Sequence, residues 1–223
     1  MNLRCVNDIP RDCSTNIALD EVFFTKENFE DIFRFYRWTH PAYTIGYFQK
    51  FPTDKTDNYS VVRRITGGLS VLHNTDLSYS LIVSDKLWPY IYDQEKTYKT
   101  IHENIKKALE KINIFCDNTE IKNDSLKNYS CVQTLYKDDL LLNGKKIVGS
   151  CQRRRGKKIL VEGSIHLNLS KEQSDIFINE FFKNLSKDLK CNTISNNLTK
   201  QETDLAENLC KEKYNTDKWN KLF

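Results

Sequence analysis

The sequence predicts an α+β fold, on three observations. Residues 97–113 place Ile101, Ile105, Ala108, Leu109 and Ile112 on one face of an amphipathic helix. Residues 33–83 contain short runs rich in aromatic and β-branched side chains, which suit half-buried strands. Asn143-Gly144 divides the strand-like stretch 138–150, and an Asn-Gly pair fits a type I′ hairpin turn, in which both central residues take positive φ.

The remaining elements follow in chain order. Ile17, Leu19, Val22, Phe23 and Phe24 give residues 14–26 a mostly helical spacing behind a Ser14-Thr15-Asn16 cluster able to cap it. Residues 33–38 and 42–48 read as strands bent apart at His40-Pro41. Residues 61–65, 70–73 and 76–83 continue the strand pattern, interrupted at Gly67-Gly68. After the helix and the Asn143-Gly144 hairpin, a second hairpin turns near Arg155-Gly156. Ile176, Phe177, Phe181, Phe182, Leu185 and Leu189 then predict a helix after Ser170. From Cys191 the chain reads as a loop followed by a final helix near residues 202–211. No repeat, low-complexity tract or linker interrupts the chain, so we expect one domain over 1–223, with 191–223 a short C-terminal helical tail.

Composition narrows the class. The 223 residues are 39% hydrophobic and 29% charged, as in ordinary globular proteins, and a chain of this length needs no disulfide or metal to bury a core. The seven cysteines are odd in number, scattered and without a C-x-x-C pair, which points to a reducing compartment rather than to a disulfide or zinc framework. The charged N-terminal segment lacks a signal-peptide pattern and no apolar run could span a bilayer, so a cytoplasmic, membrane-free protein is expected. A net charge of +4 does not demand nucleic acid and suits an acidic protein partner equally well. Arg153, Arg154 and Arg155 at a hairpin tip could grip nucleic acid, but a solvated turn is the plainer reading, and no nucleic-acid partner is expected. The four histidines form no metal-binding pattern, so no metal is expected.

Two segments could carry chemistry. In RRITGGLSVLH, adjacent glycines allow a ligand close to the backbone, and the arginines could bind an anion bidentately; a tight turn with surface arginines is the alternative. Neither this segment nor Gly144-Lys145-Lys146 has Walker spacing. Strand alternation sends Lys145 and Lys146 to opposite faces, so one of them faces the packed or ligand side unless the strand lies at an edge.

Taken together, RRITGGLSVLHNTDLSYSLIV and NGKKIVGSCQRRRGKKILVEGSIHL resemble the biotin/lipoate protein ligase family, and within it the lipoate–protein ligases and LipM-type octanoyltransferases. Arg63, Arg64, Thr66, Gly67, Gly68 and His73 match the first motif; Gly144, Lys146, Ile147, Gly149, Ser150 and Gln152 match the second. Weaker likeness at residues 16–24 and 34–49 extends it to about residues 13–169. The resemblance implies a mixed β-sheet flanked by helices, the class II synthetase-like catalytic fold, with an acyl tunnel along the Thr-Gly-Gly loop. It implies Cys131 and Lys146 as catalytic residues, Cys131 lying fifteen positions ahead of Lys146, with Arg63, Arg64, Thr66, Gly67, Gly68, His73, Gly149, Ser150, Gln152 and Gly163 as substrate-binding residues.

The activity so implied moves an octanoyl or lipoyl group from an acyl-carrier thioester, through a thioester on Cys131, to the lysine of a lipoyl domain or glycine-cleavage H protein. It needs no cofactor, and a monomer is expected. The alternative within the family is an ATP- and Mg-dependent lipoate–protein ligase using free lipoate. About fifty residues follow the shared core, too few for the accessory domain such ligases usually carry. Three departures stand out: Glu162 where the family commonly has histidine, and Cys151 and Ser70 where it commonly has alanine. Cys151 is a rival thiol, although alternation sends it to the face opposite Lys146.

Overall fold

The computed structural model describes residues 1–27, 30–55, 57–119 and 134–223. Its strands are β1 (Asn2–Asn7), β2 (Ile32–Tyr36), β3 (Ala42–Ile45), β4 (Ser60–Arg63), β5 (Val71–His73), β6 (Leu77–Ser84), β7 (Asp117–Asn118), β8 (Leu140–Leu142), β9 (Lys145–Arg155), β10 (Lys158–Ile165) and β11 (Asn192–Ser195). Its helices are α1 (Cys13–Thr25), α2 (Gln94–Glu110), α3 (Lys171–Leu189), α4 (Lys200–Leu209) and α5 (Asp217–Asn220), with one wider turn, Cys210–Tyr214, prolonging α4.

Strand β2 shows how the core divides. All five of its residues are buried, and alternation sends Phe33 and Phe35 to one face and Ile32, Arg34 and Tyr36 to the other. The first face packs under α2 and α3, where Phe33 meets Phe181 at 4.7 Å between ring centroids and Phe35 meets Phe177 at 5.7 Å. The second packs under α1 and α4 with Ile82 and Leu160 of the neighbouring strands. A sheet covered on both sides must read as a nearly unbroken apolar run in its middle strands, and β6 does so, with seven of its eight residues buried.

The large sheet has the order β11-β1-β2-β6-β10-β9-β8-β7 and is mixed: β1 is parallel to β2 and β11, whereas β6, β10 and β9 run antiparallel to their neighbours. A second sheet, β4-β3-β5, combines one parallel and one antiparallel pair. The mixed-sheet fold flanked by helices therefore stands as the resemblance implied.

Local signals explain the helix ends. Asp12, rather than the Ser-Thr-Asn cluster, caps α1 by accepting from the Thr15 amide at 3.0 Å. Ser170 and Gln173 form a capping box at α3, as Thr199 and Glu202 do at α4. Asn143 (φ 50°) and Gly144 (φ 74°) both take the left-handed conformation the first hairpin requires.

Three strands depart from the sequence reading. Residues 192–195, read as loop, form β11 beside β1, and residues 2–7 and 117–118 form β1 and β7, to which the reading assigned no element. β11 is exposed along its whole length, so it lacks the alternating burial that marks a strand; its identity comes from backbone pairing with β1 alone.

On the α1 face, Arg34 is completely buried. Its guanidinium donates to Asp8 at 3.0 Å, Asp20 at 3.0 Å and the Asn16 side chain at 2.5 Å. Asp20 also accepts from Ser80 at 2.6 Å. Removing the cation would leave Asp20 buried without its countercharge. Arg34→Met should therefore lower the unfolding free energy by about 3–5 kcal/mol, measured by urea denaturation at neutral pH; a change within about 0.5 kcal/mol would contradict this account of the α1 interface.

Candidate functional site

A cavity of about 890 Å³ opens between the two sheets. Its lining includes Arg64, Gly67, Gly68, His73, Lys146, Gly149, Ser150, Cys151, Gln152, Glu162 and Gly163, with Trp38, Tyr98 and Tyr136 supplying apolar wall. The two sequence motifs, about eighty residues apart, thus face one space. Close approach decides two of the glycines. A Cβ on Gly163 would come within 2.3 Å of the Tyr79 ring, and one on Gly68, already at φ 86°, within 3.1 Å of Cys151 Cβ.

Lys146 is the buried member of the lysine pair, and Lys145 is exposed. The β8–β9 hairpin delivers Lys146, and its ammonium donates to Asp139 at 2.6 Å and to the Thr134 carbonyl at 3.0 Å, 5.6 Å from the Tyr136 ring centre. Burial pushes the Asp139 carboxyl upward, while Lys146 pulls it the other way. Such an arrangement holds a cation rigidly at a cavity wall, poised to stabilise negative charge on a reacting oxygen.

A second cluster on the cavity wall is built across β9 and β10, where Cys151 and Glu162 are direct cross-strand partners. Thr66 donates its hydroxyl proton to Glu162 Oε2, and Thr66 Oγ1 lies 3.3 Å from Cys151 Sγ; with that proton committed, the thiol is the donor. Cys151 Sγ is also 3.9 Å from Glu162 Oε2, and Arg64 Nε is 4.0 Å from it. Burial, followed by the charge of Asp20, raises the Glu162 carboxyl to about 7, against the lowering influence of Arg64 and of the Thr66 and Cys151 hydrogen bonds. Glu162 is 4% exposed, and its Oε1 accepts no hydrogen bond among the described residues.

His73 stacks on Trp38 with ring centroids 4.0 Å apart, and its Nδ1 donates to Asp76 at 2.8 Å. Burial alone would raise the Asp76 carboxyl, but the His73 ring holds it well below the usual carboxylate range. Nε2 of His73 meets Thr44 Oγ1 at 2.9 Å, and Thr44 in turn accepts from Arg64 at 2.7 Å. On the α2 side, His102 Nδ1 can only donate to the Asp138 carbonyl at 2.7 Å, so Nε2 accepts from Ser150 and Ser150 accepts from Tyr79. Burial holds His102 down to about 4, so it is neutral and serves as a strut for Ser150.

Of the sequence-predicted residues, Arg64, Gly67, Gly68, His73, Lys146, Gly149, Ser150, Gln152 and Gly163 line the cavity. Arg63 and Thr66 are outside its lining. Arg63 instead donates to the carbonyls of Gly46, Tyr47, Gln49 and Asn220, tying the Gly-Gly region to the C-terminal segment; nothing in an Arg-Arg pair shows which member turns inward to brace the backbone. Thr66 sits just behind the wall, on Glu162 and Cys151. Cys131 lies outside the described residues. Cys151 does lie across the strand from Lys146 by alternation, yet both line the cavity, so facing does not remove it from the site. Asp139 and Asp76 were not anticipated: each is an ordinary aspartate in sequence and acquires its role from a partner that folding delivers.

Arg153 and Arg154 are engaged with the Ile65 and Ile91 carbonyls at 2.9 and 2.6 Å. Among the described residues no helix is long and apolar enough to cross a membrane.

Residues 12–214 match the model of the lipoyl protein ligase A/B catalytic domain. Curated relatives include the octanoyltransferase LipM of Oceanobacillus iheyensis, 31% identical over 75% of this chain and 64% of that protein, so the match spans just under two thirds of its length. The octanoyltransferase LipM of Carboxydothermus hydrogenoformans is 28% identical over 92% of this chain and 93% of its own. Among solved structures, a lipoate-protein ligase A bound with ATP superposes with a TM-score of 0.77 at 22% identity, over the whole of both chains. A bipartite lipoate protein ligase from Thermoplasma acidophilum, studied with its E2 lipoyl domain, superposes with a TM-score of 0.75 at 21% identity, over 100% of this chain and 98% of its own.

The raised Glu162 carboxyl has a signed consequence for stability. A carboxyl that binds its proton more tightly when folded contributes fully below its unfolded value, near 4.5, and loses that contribution as pH climbs towards 7. Relative to Glu162→Gln, the wild-type chain should lose on the order of 2–3 kcal/mol between those limits, read as the difference between the two proteins' denaturation curves across pH. Parallel curves would show that the carboxyl titrates normally.

Proposed function

The chain belongs to the lipoyl protein ligase A/B catalytic domain family, and from that premise we propose that it is a protein acyltransferase. It moves an octanoyl or lipoyl group from an acyl-carrier thioester to the lysine of a lipoyl domain or glycine-cleavage H protein. The observation that carries this reading is the placement of a buried, doubly anchored Lys146 ammonium on the wall of a large, partly aromatic cavity that the Gly67-Gly68 turn also lines. Relatives named octanoyltransferase support the choice of reaction.

In this reading the acyl chain lies in the cavity with its carbonyl near Lys146. Cys131 is the acceptor thiol: its thiolate attacks the donor's carbonyl carbon, a new S–C bond forms, the donor's C–S bond breaks, and the departing thiolate takes up a proton. The target lysine, as free amine, then attacks the Cys131 thioester; an N–C bond forms, the S–C bond breaks, and the lysine's proton passes to the cysteine sulfur. Each step builds negative charge on the same carbonyl oxygen, and the Lys146 ammonium stabilises it. Arg64, His73 and Ser150, each locked by hydrogen bonds, hold the cavity's shape and place the chain. Exchange of one thioester for another needs no nucleotide or metal. The absence of a C-x-x-C or other paired cysteine pattern suits work in the reducing cytoplasm.

The ATP-dependent ligase reading keeps the same cavity but uses free lipoate and forms an adenylate. One experiment separates the two. Incubation with an octanoylated acyl carrier, without ATP, should add one octanoyl mass to the Cys131 peptide and then label a lipoyl domain. Cys131→Ser should abolish transfer, and Lys146→Ala should slow it on the order of 10²–10³-fold. Undiminished turnover by Cys131→Ser, or lipoate-dependent pyrophosphate exchange with no thioester transfer, would overturn the proposal.

A further inference from the structure

Making an amide from a thioester differs from exchanging one thioester for another in its protons. A thiolate attacks with no proton to lose. An amine nitrogen still carries two when it bonds to the carbonyl carbon, and one must leave as the amide forms, because a protonated amide nitrogen has no resonance with its carbonyl. The Lys146 ammonium, held by Asp139 and the Thr134 carbonyl, cannot take that proton. Glu162 is committed to Thr66 and almost wholly buried. Of the three histidines in and around the cavity, His73 has Nδ1 on Asp76 and Nε2 on Thr44, and His102 has Nδ1 on the Asp138 carbonyl and Nε2 on Ser150. His166 differs. It is half-buried on the cavity wall, neither ring nitrogen has a hydrogen-bond partner among the described residues, and unlike Glu162 Oε1 neither is shut away from solvent. Its backbone amide donates to the Ile147 carbonyl at 2.7 Å, which lays it beside the residue that follows Lys146.

We propose that His166 is the proton acceptor of the amine step, taking the proton that the target lysine's nitrogen sheds and handing it to the departing Cys131 sulfur. This rests on the acyl-transfer reading. The free amine attacks the thioester carbonyl carbon, an N–C bond forms, and the carbonyl electron pair moves onto the oxygen beside the Lys146 ammonium. An N–H proton passes to a His166 ring nitrogen, the oxygen's pair returns, the S–C bond breaks, and the thiolate takes the proton from the imidazolium. The imidazole ends as it began, so no co-reactant is consumed. The titratable groups that bear on it are Asp76 before β6, His73 on β5 and Lys146 on β9. Burial, the largest influence, holds the ring below the ordinary imidazole value; Asp76 draws it up, and His73 and Lys146 press it down. The ring is therefore neutral at physiological pH, the form that accepts a proton.

The test follows the two steps separately in single turnovers. The full chain is loaded on Cys131 from an octanoylated acyl carrier, freed of donor, and mixed with a lipoyl domain between about pH 5 and about pH 8, with thioester and amide read by mass. His166→Gln and His166→Asn, each shown by its melting curve to be folded, should transfer to the lipoyl domain on the order of a hundredfold more slowly at neutral pH, while loading slows far less. The ratio of wild-type to variant transfer rates cancels the ionisation of the target lysine. It should hold level above neutrality and fall about tenfold per pH unit once acid protonates the ring. A residue that only shaped the cavity would slow both steps alike, at every pH. Undiminished transfer, equal slowing of both steps, or a ratio that ignores pH would overturn the inference and leave the transferase standing. No loading of Cys131 in the wild-type chain would overturn the transferase, and this inference with it.

Discussion

Charge buried where water cannot reach it is the constraint on which this structure turns. Between the large sheet, α1 and the small sheet lie Arg34, Arg64, Asp20, Asp76 and Glu162, all nearly inaccessible. Desolvation of such groups is repaid only when partners surround them. The protein meets that condition with short polar side chains: Ser80 on Asp20, Ser78 on Asp76, Thr44 between Arg64 and His73, and Thr66 on Glu162. The last of these joins the segment after β4 to β10 and so ties the small sheet's side of the cavity to the large sheet.

The two sides of the cavity handle charge differently. Lys146 is matched by Asp139 and a carbonyl, which keeps an ammonium in place at little cost and leaves a positive field at the wall. Glu162 is matched incompletely. Arg64 is at 4.0 Å, one carboxyl oxygen has no donor among the described residues, and burial dominates, so the carboxyl is raised to about 7. Lys146 and the Glu162–Cys151 pair thus line the same cavity in different electrostatic settings.

Two of the departures from the family resemblance, Glu162 and Cys151, turn out to be cross-strand partners in β10 and β9. Seen in sequence they are separate substitutions eleven residues apart. Once the Arg155-Gly156 hairpin closes, they share a face and a hydrogen-bonding neighbour, Thr66. The same closure puts Ser150 opposite Gly163, whose missing side chain admits the Tyr79 ring and lets Ser150 join Tyr79 to His102.

Periodicity and turn chemistry are local properties, and they were legible without a structure. The spacing of Ile101, Ile105, Ala108 and Leu109 foretold α2 and Asn143-Gly144 foretold the tight hairpin; the Arg-Arg-x-Thr-Gly-Gly and Gly-x-Lys segments, singled out in the sequence, both line one cavity. Pairing across distance left no such trace. The exposed β11 exists because its backbone meets β1, Asp139 matters because the hairpin lays Lys146 against it, and Arg63 faces away from the cavity because α5 offers it carbonyls. A residue's type states which bonds it is able to make; only the folded chain decides which partner arrives, because that depends on contacts between segments whose separation along the chain bears no relation to their separation in space.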